Sequence, residues 1–260
     1  MVSSINPSLK GITVLIPGVL LSFSFDIYTP LVFLIFMMLF TFLFSGIPLK
    51  KWLLFFTPFI IVALGFAWMT MLYTSESFAG GEHLFSIWRF DVTTGAVMTG
   101  ISLALRSLCF ITLSLLFILT TDSTKFMLSL MQQLKMPPKL TYGILAGYRF
   151  LPAFRHEFHI LKQAHRIRGV GRARGIKDRL EQMRRYAIPL MANAIRKAER
   201  VANAMESKGF TGSHNRTHYH YMKINKKDWM FFSVINGALV LTFVSSYFLG
   251  YLNIFGIRVG

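Results

Sequence analysis

Residues 27–49 read IYTPLVFLIFMMLFTFLFSGIPL, a run of 23 residues without a charged side chain. An α-helix needs about 20 apolar residues to cross the hydrocarbon core of a bilayer, so this run predicts a transmembrane helix. The whole chain has the same character, because 53% of its residues are hydrophobic and only 15% are charged. Soluble domains carry about 25% charged residues. The composition therefore indicates an integral membrane protein and argues against a soluble or a disordered one.

Four more apolar segments predict membrane helices on either side of this run. They are residues 11–25, a short segment that contains Pro17; residues 52–75, with a kink expected at Pro58; residues 95–121, which contain Arg106; and residues 229–252. We therefore predict an all-α integral membrane protein with about five transmembrane helices. Since a charge inside a span is costly in lipid, Arg106 is expected either to pair within the protein or to serve a function.

The net charge of +17 is concentrated in one segment. Residues 121–227 hold 22 of the 28 Lys and Arg residues but only six of the 11 acidic residues. Basic loops stay on the cytoplasmic side of a membrane, and this segment lies on the same side as Lys10 and the Lys50-Lys51 pair if all five spans cross. The prediction is a cytoplasmic N-terminus and an outside C-terminus, unless the first helix is re-entrant.

The chain is accordingly divided into three regions. Residues 1–121 are predicted to form membrane helices 1–4, residues 122–227 a cytoplasmic basic segment, and residues 228–260 the last membrane helix and a tail. Within the basic segment, apolar side chains recur at helical spacing in three stretches. The first ends at Pro137-Pro138, and the others are residues 139–168, bent at Pro152, and 178–208, with a possible break at Pro189.

The last two of these helices end alike, as a basic residue followed by glycine. The pairs are Arg168-Gly169 and Lys208-Gly209. Glycine is the usual stop after a helix, and a cation is favoured at the negative end of the helix dipole, so both pairs are explained by helix capping alone. The alternative is that both cations enter acidic grooves on a partner, and the duplication then indicates a partner with two similar halves.

The acidic and small residues of the basic segment have simpler interpretations. Glu157, Glu199 and Glu206 are separated along basic helices, so they are expected to pair with Arg or Lys. A stripe of small and apolar residues in the third helix would let another helix approach closely. The stripe consists of Ala187, Met191, Ala194, Ala198, Val201 and Met205.

Four short motifs in this segment resemble those of a known family. They are LKMPP at residues 134–138, YRFLP at 148–152, AHRIRG at 164–169 and AMESKGF at 204–210. In this order and register they resemble the transmembrane (T) component of energy-coupling factor (ECF) type ABC vitamin transporters. The sequence departs from the family pattern at His165, Ile167, Ser207 and Lys208. The lysine keeps the charge but loses the planar fork of arginine.

The resemblance implies which residues couple to an ATPase. These residues are Ile167, Arg168, Gly169, Glu206, Ser207, Lys208 and Gly209. Arg174, in the tripeptide ARG at residues 173–175, is a minority alternative to Arg168. Pro138, Arg149 and Pro152 belong to the structural part of the family pattern. Glu206 is expected to help position Lys208.

The resemblance also implies an architecture and a function. Long crossed coupling helices in the cytoplasm and the membrane helices would form an L, as in other T components. The partners would be two ABC ATPase subunits or one fused double ATPase, and a membrane-embedded substrate-binding S component. The chain would transmit ATP-driven motion to the S component for uptake of a vitamin, with thiamine or its precursor as the candidate. The location would be a bacterial or archaeal cell membrane.

The sequence contains no pattern of an enzyme. It has no G-x-x-x-x-G-K-[ST] loop, so ATP and Mg are expected on the partner subunits and the chain itself is expected to hold no cofactor. His214, His218 and His220 lie in a polar loop without a nearby carboxylate or Cys, so no metal site is predicted. The single Cys109 excludes a disulfide within the chain.

The alternative function is a polybasic integral membrane scaffold or enzyme that contacts anionic lipids. Polybasic stretches beside a membrane helix attract anionic headgroups, and contact with the bilayer is expected in either case. Nucleic acid is not expected as a partner, because binding would require aromatic side chains interleaved with bases on an exposed surface. Here Phe154 and Phe158 fall on the apolar stripe of the second helix.

Overall fold

The computed structural model describes residues 2–73, 83–87, 90–169, 175–213, 217–251, 253–254 and 257–258. Helices dominate these residues, which confirms the predicted all-α fold class. After a short 3₁₀ helix at Val2–Ser4, the α-helices are α1 (Pro7–Ser22), α2 (Tyr28–Phe44), α3 (Leu49–Tyr73), α4 (Thr94–Thr120), α5 (Ser123–Gln133), α6 (Pro138–Ile167), α7 (Ile176–Ser207) and α8 (Lys226–Phe248).

Two small antiparallel hairpins, which the sequence did not predict, accompany the helices. β1 (His83–Ile87) pairs with β2 (Phe90–Thr93) directly before α4, and β3 (Asn253–Ile254) pairs with β4 (Ile257–Arg258) after α8. Each has only two strands, so neither forms a sheet with a hydrophobic face of its own.

Each of the five predicted membrane segments contains a helix, but the helices differ in length. Among the described residues, α3, α4 and α8 are long and apolar enough to cross a bilayer, whereas α1 and α2 have 16 and 17 residues. At 1.5 Å per residue these two helices measure about 25 Å, less than the ~30 Å of a typical hydrocarbon core. The count of five crossing helices therefore stays a prediction.

The described chain forms two compact units. The membrane unit comprises Met1–Ser129 and Met222–Gly260, and the basic unit comprises Leu130–Tyr221. The boundary at residue 129 falls inside α5. The region boundaries predicted at residues 122 and 227, the L-shape and the orientation in the membrane stay predictions.

The membrane unit has a core made by α1, α2, α4 and α8. Each helix contributes fully or almost fully buried apolar side chains: Leu21, Phe33, Met37, Cys109, Leu113, Leu116, Ile235 and Leu239. A second cluster joins Trp52 and Phe56 of α3 to Leu115 of α4. The outward faces remain apolar, with Leu43 75% exposed and Leu54 71% exposed. Such faces are costly in water but are the natural contact for lipid chains.

Helix α4 is the central helix of this unit. At its C-terminal end, Lys10 of α1 donates its Nζ to the carbonyl and the hydroxyl oxygen of Thr120, both at 3.1 Å. Nearer its middle, Arg106 donates to the carbonyl oxygens of Ser22, at 3.2 Å, and Ser24. Helix α1 is therefore antiparallel to the C-terminal half of α4. Arg106 pairs within the protein, the first of the two roles expected for it.

Helices α3 and α4 approach closely at Gly100. A Cβ atom on Gly100 would lie 2.8 Å from the carbonyl oxygen of Ala67 and 3.0 Å from the side chain of Met71. Small residues allow such backbone approach between membrane helices, where van der Waals packing replaces the hydrophobic effect.

The long helices of the basic unit pass through their internal prolines. Helix α6 continues through Pro152 and α7 through Pro189, so the break considered at Pro189 does not occur. A proline removes one donor and crowds one carbonyl, which bends a helix without ending it when the flanking turns keep their own hydrogen bonds. The stop signals that operate here are the glycines after α6 and α7.

Candidate functional site

Helices α6 and α7 of the basic unit pack against each other in opposite directions. Ring contacts mark their register: Tyr142 lies against Phe210, with centroids 5.6 Å apart, and both Phe158 and His165 lie against Tyr186, at 5.7 and 5.2 Å. The partner residue moves back along the chain as α6 advances. The C-terminal ends of the two helices are therefore at opposite ends of the pair.

The two basic residues predicted as coupling residues occupy the same structural position. Arg168 is the C-cap of α6 and Lys208 is the C-cap of α7. The glycine after each one has a positive φ, +78° at Gly169 and +83° at Gly209. This is the left-handed conformation that ends many helices and that glycine adopts without strain.

Hydrogen bonds of the turn close both helix ends. Gly209 donates its N–H to the carbonyl of Glu206 at 2.8 Å, and Phe210 donates to Met205 at 3.0 Å. Together these two bonds form a Schellman motif. At the end of α6, Gly169 donates to Arg166 at 3.2 Å, which is the corresponding inner bond. The hydrogen bonds hold the backbone of each turn, so the Cα–Cβ bond of the residue before the glycine has a defined direction.

The side chains at both ends face solvent. Arg168 and Lys208 are exposed, and within the described residues neither forms an ion pair. Beside Arg168, Ile167 is 87% exposed, so an apolar side chain lies next to the cation. Ser207 stands at the same place beside Lys208 and is also exposed. Each end thus offers a cation without a counter-ion in the described chain.

The remaining predicted residues are placed as follows. Pro138 is buried as the first residue of α6, whereas Arg149 and Pro152 are exposed on that helix. Glu206 is exposed, and no ion pair between it and Lys208 occurs in the described part of the chain. Arg174, the alternative to Arg168, lies outside the described residues.

The predicted stripe of small residues borders an open groove. Gly143, Ala146 and Gly147 of α6 face Ala194, Ala198 and Ala202 of α7 across a cavity of about 510 Å³. Lys139, Tyr142, Phe150, Lys197, Glu206 and Phe210 are among the other lining residues. A Cβ atom on Gly143 or Gly147 would meet nothing within 4 Å. The small side chains therefore leave space here instead of allowing the close helix contact that was expected.

Besides the aromatic contacts, polar contacts at one side of the groove join the two helices. Glu157 of α6 forms an ion pair with Lys197 of α7, and its Oε2 accepts a hydrogen bond from Asn193 Nδ2 at 2.6 Å. The Lys197 Nζ lies 4.7 Å from the centre of the Phe150 ring. The sequence predicted that Glu157 would pair with a basic residue. It did not predict which one, because Lys197 is 40 residues away on another helix.

The structure contains no candidate metal centre within the residues it describes, where no three His, Cys, Asp or Glu side chains form a group able to hold an ion. His218 and His220 lie beside Tyr221 and Tyr219, respectively, in ring contacts. His214 lies outside the described residues.

Alanine in place of Gly169 or Gly209 should weaken the corresponding helix end. A residue with a Cβ atom resists a positive φ, so we expect each substitution to cost about 1 kcal/mol. The last turn of the affected helix should then exchange its amide hydrogens faster. Gly143→Ala is the matched control, because Gly143 lies inside α6 with open space around it. Alanine there should leave the exchange unchanged or slow it, since it favours a helix over glycine by about 1 kcal/mol. Equal effects of all three substitutions would contradict the capping role.

Known proteins are similar to this chain over most of its length. A family model described as CbiQ, cobalt transport protein, matches residues 1–219. The energy-coupling factor transporter transmembrane protein EcfT of Bacillus subtilis (strain 168) is 30% identical over 210 residues, which are 78% of this chain and 73% of that protein. The EcfT proteins of Exiguobacterium sibiricum and Macrococcus caseolyticus are each 28% identical, over 219 and 244 residues. These two alignments cover 77% and 88% of this chain, and 82% and 85% of the relatives.

Proposed function

The chain belongs to the CbiQ family as a transmembrane (T) component of an energy-coupling factor transporter, and from this premise we propose how it couples ATP to uptake. In our proposal it transmits the ATP-driven motion of two ATPase subunits to a membrane-embedded S component. The observation that carries the proposal is the pair of exposed basic helix ends, Arg168 and Lys208. They lie at opposite ends of one antiparallel helix pair, which suits one groove on each of two subunits.

The chemistry of each end supports docking into an acidic groove. An arginine offers a planar fork of donors that binds a carboxylate through two parallel hydrogen bonds. A lysine offers a compact charge that can bind a carboxylate from several directions and does not impose one orientation. We therefore assign the more strictly oriented contact to Arg168, and the more adaptable one to Lys208. When the ATPase subunits move on binding ATP, the docked ends pass that movement to the helix pair.

ATP and its Mg ion are assigned to the partner subunits. The sequence contains no phosphate-binding loop of the G-x-x-x-x-G-K-[ST] type. In our proposal the chain therefore transmits motion, and ATP is hydrolysed on the partner subunits. The ATPase partners are either two subunits or one fused double ATPase. The two different helix ends, one with Arg and one with Lys, match two grooves that are similar but not identical.

The transported substrate is selected by the S component and not by this chain. We retain a vitamin as the substrate class, with thiamine or its precursor as the candidate, and cobalt from the description of the family as the alternative. The basic unit and Lys50-Lys51 support an arrangement with the N-terminus in the cytoplasm and the C-terminus outside, in the membrane of a bacterium or archaeon.

Purification of the tagged chain from its native membranes tests the proposal. The expected result is a complex with a P-loop ATPase, contributing two nucleotide-binding domains per chain, and a small membrane protein. Vesicles containing this complex should transport the substrate only when ATP is supplied on the side of the membrane where the ATPases lie. Uptake assays with radiolabelled thiamine and with Co²⁺ then distinguish the two substrates. Purification of the chain without any ATPase would contradict the proposal.

A further inference from the structure

A single acidic side chain of α6 joins the two long helices of the basic unit. Glu157 is the one acidic residue in the 30 residues of α6. It forms an ion pair with Lys197 and accepts a hydrogen bond from Asn193, and both partners belong to α7. Lys197 contacts α6 a second time through the Phe150 ring. Phe150 and Glu157 are two helical turns apart on α6. Contacts with both therefore restrain Lys197 against sliding along α6 as well as against moving away from it.

This ion pair is better shielded from water than the other one described in the basic unit. The side chains of Glu157 and Lys197 are 21% and 31% exposed, whereas those of Glu181 and Arg185 are 64% and 53% exposed. Exposed pairs within one helix contribute little because water and salt screen them. Removing one partner of a shielded pair costs more, because the remaining charge loses its compensation.

The ion pair lies at the same distance from both candidate coupling ends. Arg168 follows Glu157 by 11 residues, and Lys208 follows Lys197 by 11 residues. Eleven helical residues measure about 16 Å. Because α6 and α7 are antiparallel, the two ends extend from the ion pair in opposite directions, to a separation of about 30 Å.

The open groove makes the polar contact important for this spacing. Between Gly143–Gly147 and Ala194–Ala202 the helices leave a cavity of about 510 Å³, so that side of the pair has little close packing to fix its geometry. Among the described residues, the helices also meet in the aromatic contacts of Tyr142 and Tyr186. Aromatic pairs tolerate a range of angles, whereas a hydrogen-bonded ion pair fixes a distance.

We propose that Glu157, Asn193 and Lys197 form a clamp that sets the spacing of the two coupling ends, and that Glu157 and Lys197 are positioning residues for energy coupling. The inference rests on the proposed function, because the spacing matters only if both ends dock. A clamp midway between the ends makes α6 and α7 one rigid body. Movement imposed at Arg168 or at Lys208 is then carried to both helices instead of being lost in sliding between them.

The spacing is measured by electron spin resonance on the full-length chain. Spin labels are attached to Ile167→Cys and Ser207→Cys, which are exposed, while the native Cys109 is fully buried. We expect one narrow distance distribution near 30 Å. Glu157→Lys places two positive charges together and should broaden the distribution or shift it by about one helical turn, ~5 Å. Adding Lys197→Glu restores the pair with reversed charges and should restore the distribution.

The uptake assay on the ATPase complex provides the functional test. At equal amounts of complex, Glu157→Lys should lower ATP-dependent uptake at least about tenfold, and the reversed pair should recover most of it. Glu157→Gln keeps the acceptor for Asn193 but loses the ion pair, and should lie between these values. Glu181→Lys is the matched control, since it makes the same change of charge in the exposed pair, and should stay within about twofold of the wild type.

Three results would overturn the clamp. They are an unchanged distance distribution in Glu157→Lys, a failure of the reversed pair to restore it, and an equal loss of uptake in Glu181→Lys. The spectroscopic test uses the chain without ATPase, so it stands even if the proposed function fails. A wild-type chain that binds no ATPase would refute the proposed function while leaving the measured spacing intact.

Discussion

Replacing Arg168 and Lys208 together by alanine should abolish binding of the ATPase subunits and, with it, substrate uptake. Truncating a charge that is paired at an interface costs about 2–5 kcal/mol, so two such losses weaken binding about a thousandfold or more. Both side chains are exposed caps, and the backbone hydrogen bonds of each turn do not involve them. The chain itself should therefore fold normally. The measurement is co-purification of the ATPase with the tagged chain, followed by uptake into vesicles.

The single substitutions should differ in size. Arg168→Ala should lower ATPase binding more than Lys208→Ala, because an arginine loses two parallel hydrogen bonds to a carboxylate and a lysine loses one adaptable contact. Arg174→Ala tests the alternative to Arg168 as the first coupling residue. We expect this variant to bind the ATPase as the wild type does. A loss in Arg174→Ala equal to that in Arg168→Ala would transfer the assignment to Arg174.

The matched control removes the same charges from the sides of the same helices. Lys162→Ala with Arg200→Ala takes one lysine and one arginine from exposed positions on α6 and α7. If nonspecific positive charge attracts the ATPases, this pair of substitutions should be as harmful as the pair at the helix ends. We expect near wild-type binding in the control, and equal losses would contradict docking through the helix ends.

Replacing Asp26 by alanine should be among the most damaging substitutions to the membrane unit. Asp26 is 6% exposed in the turn between α1 and α2. Its carboxylate accepts from the hydroxyl of Ser24, from the N–H and hydroxyl of Thr29, and from the hydroxyl of Ser246. It also attracts Arg106 electrostatically. Alanine would leave these groups without their acceptor in a low-dielectric environment, at a cost of about 3 kcal/mol or more.

The apparent melting temperature of the detergent-solubilised chain measures this effect. Asp26→Asn keeps one acceptor oxygen and should cost clearly less than alanine. Asp122→Ala is the matched control, because Asp122 likewise accepts from a following backbone, from the N–H groups of Thr124 and Lys125, but is exposed. Loss of an exposed helix cap costs about 1 kcal/mol. If Asp26→Ala lowers the melting temperature no more than Asp122→Ala, the buried network does not stabilise the unit.

The positions of the helices were largely predictable because their causes are local. The uncharged run at residues 27–49 contains α2, and the glycines after residues 168 and 208 mark the ends of α6 and α7. Proline was the unreliable signal. A break was considered at Pro189 but does not occur, because the hydrogen bonds of the flanking turns outweigh the loss of one donor.

The partners of charged residues were not predictable, since pairing depends on which helices come together. The sequence indicated a partner for Glu157 and, as one of two roles, for Arg106. It gave no reason to choose the carbonyls of Ser22 and Ser24 or the side chain of Lys197. These partners are 40 or more residues away. No periodic pattern relates two residues on different helices.

The sequence by itself determined that this chain is helical, enters a membrane, carries its charge in one segment and ends two long helices with a cation before glycine. Each of these properties follows from the length of an apolar run or from the chemistry of a few neighbouring residues. Only the tertiary structure decided that α6 and α7 are antiparallel, that their cations lie at opposite ends, and that Glu157 joins them midway. The physical reason is that hydrogen bonds and ion pairs act over a few ångströms, so a contact between distant residues exists only once the chain has packed.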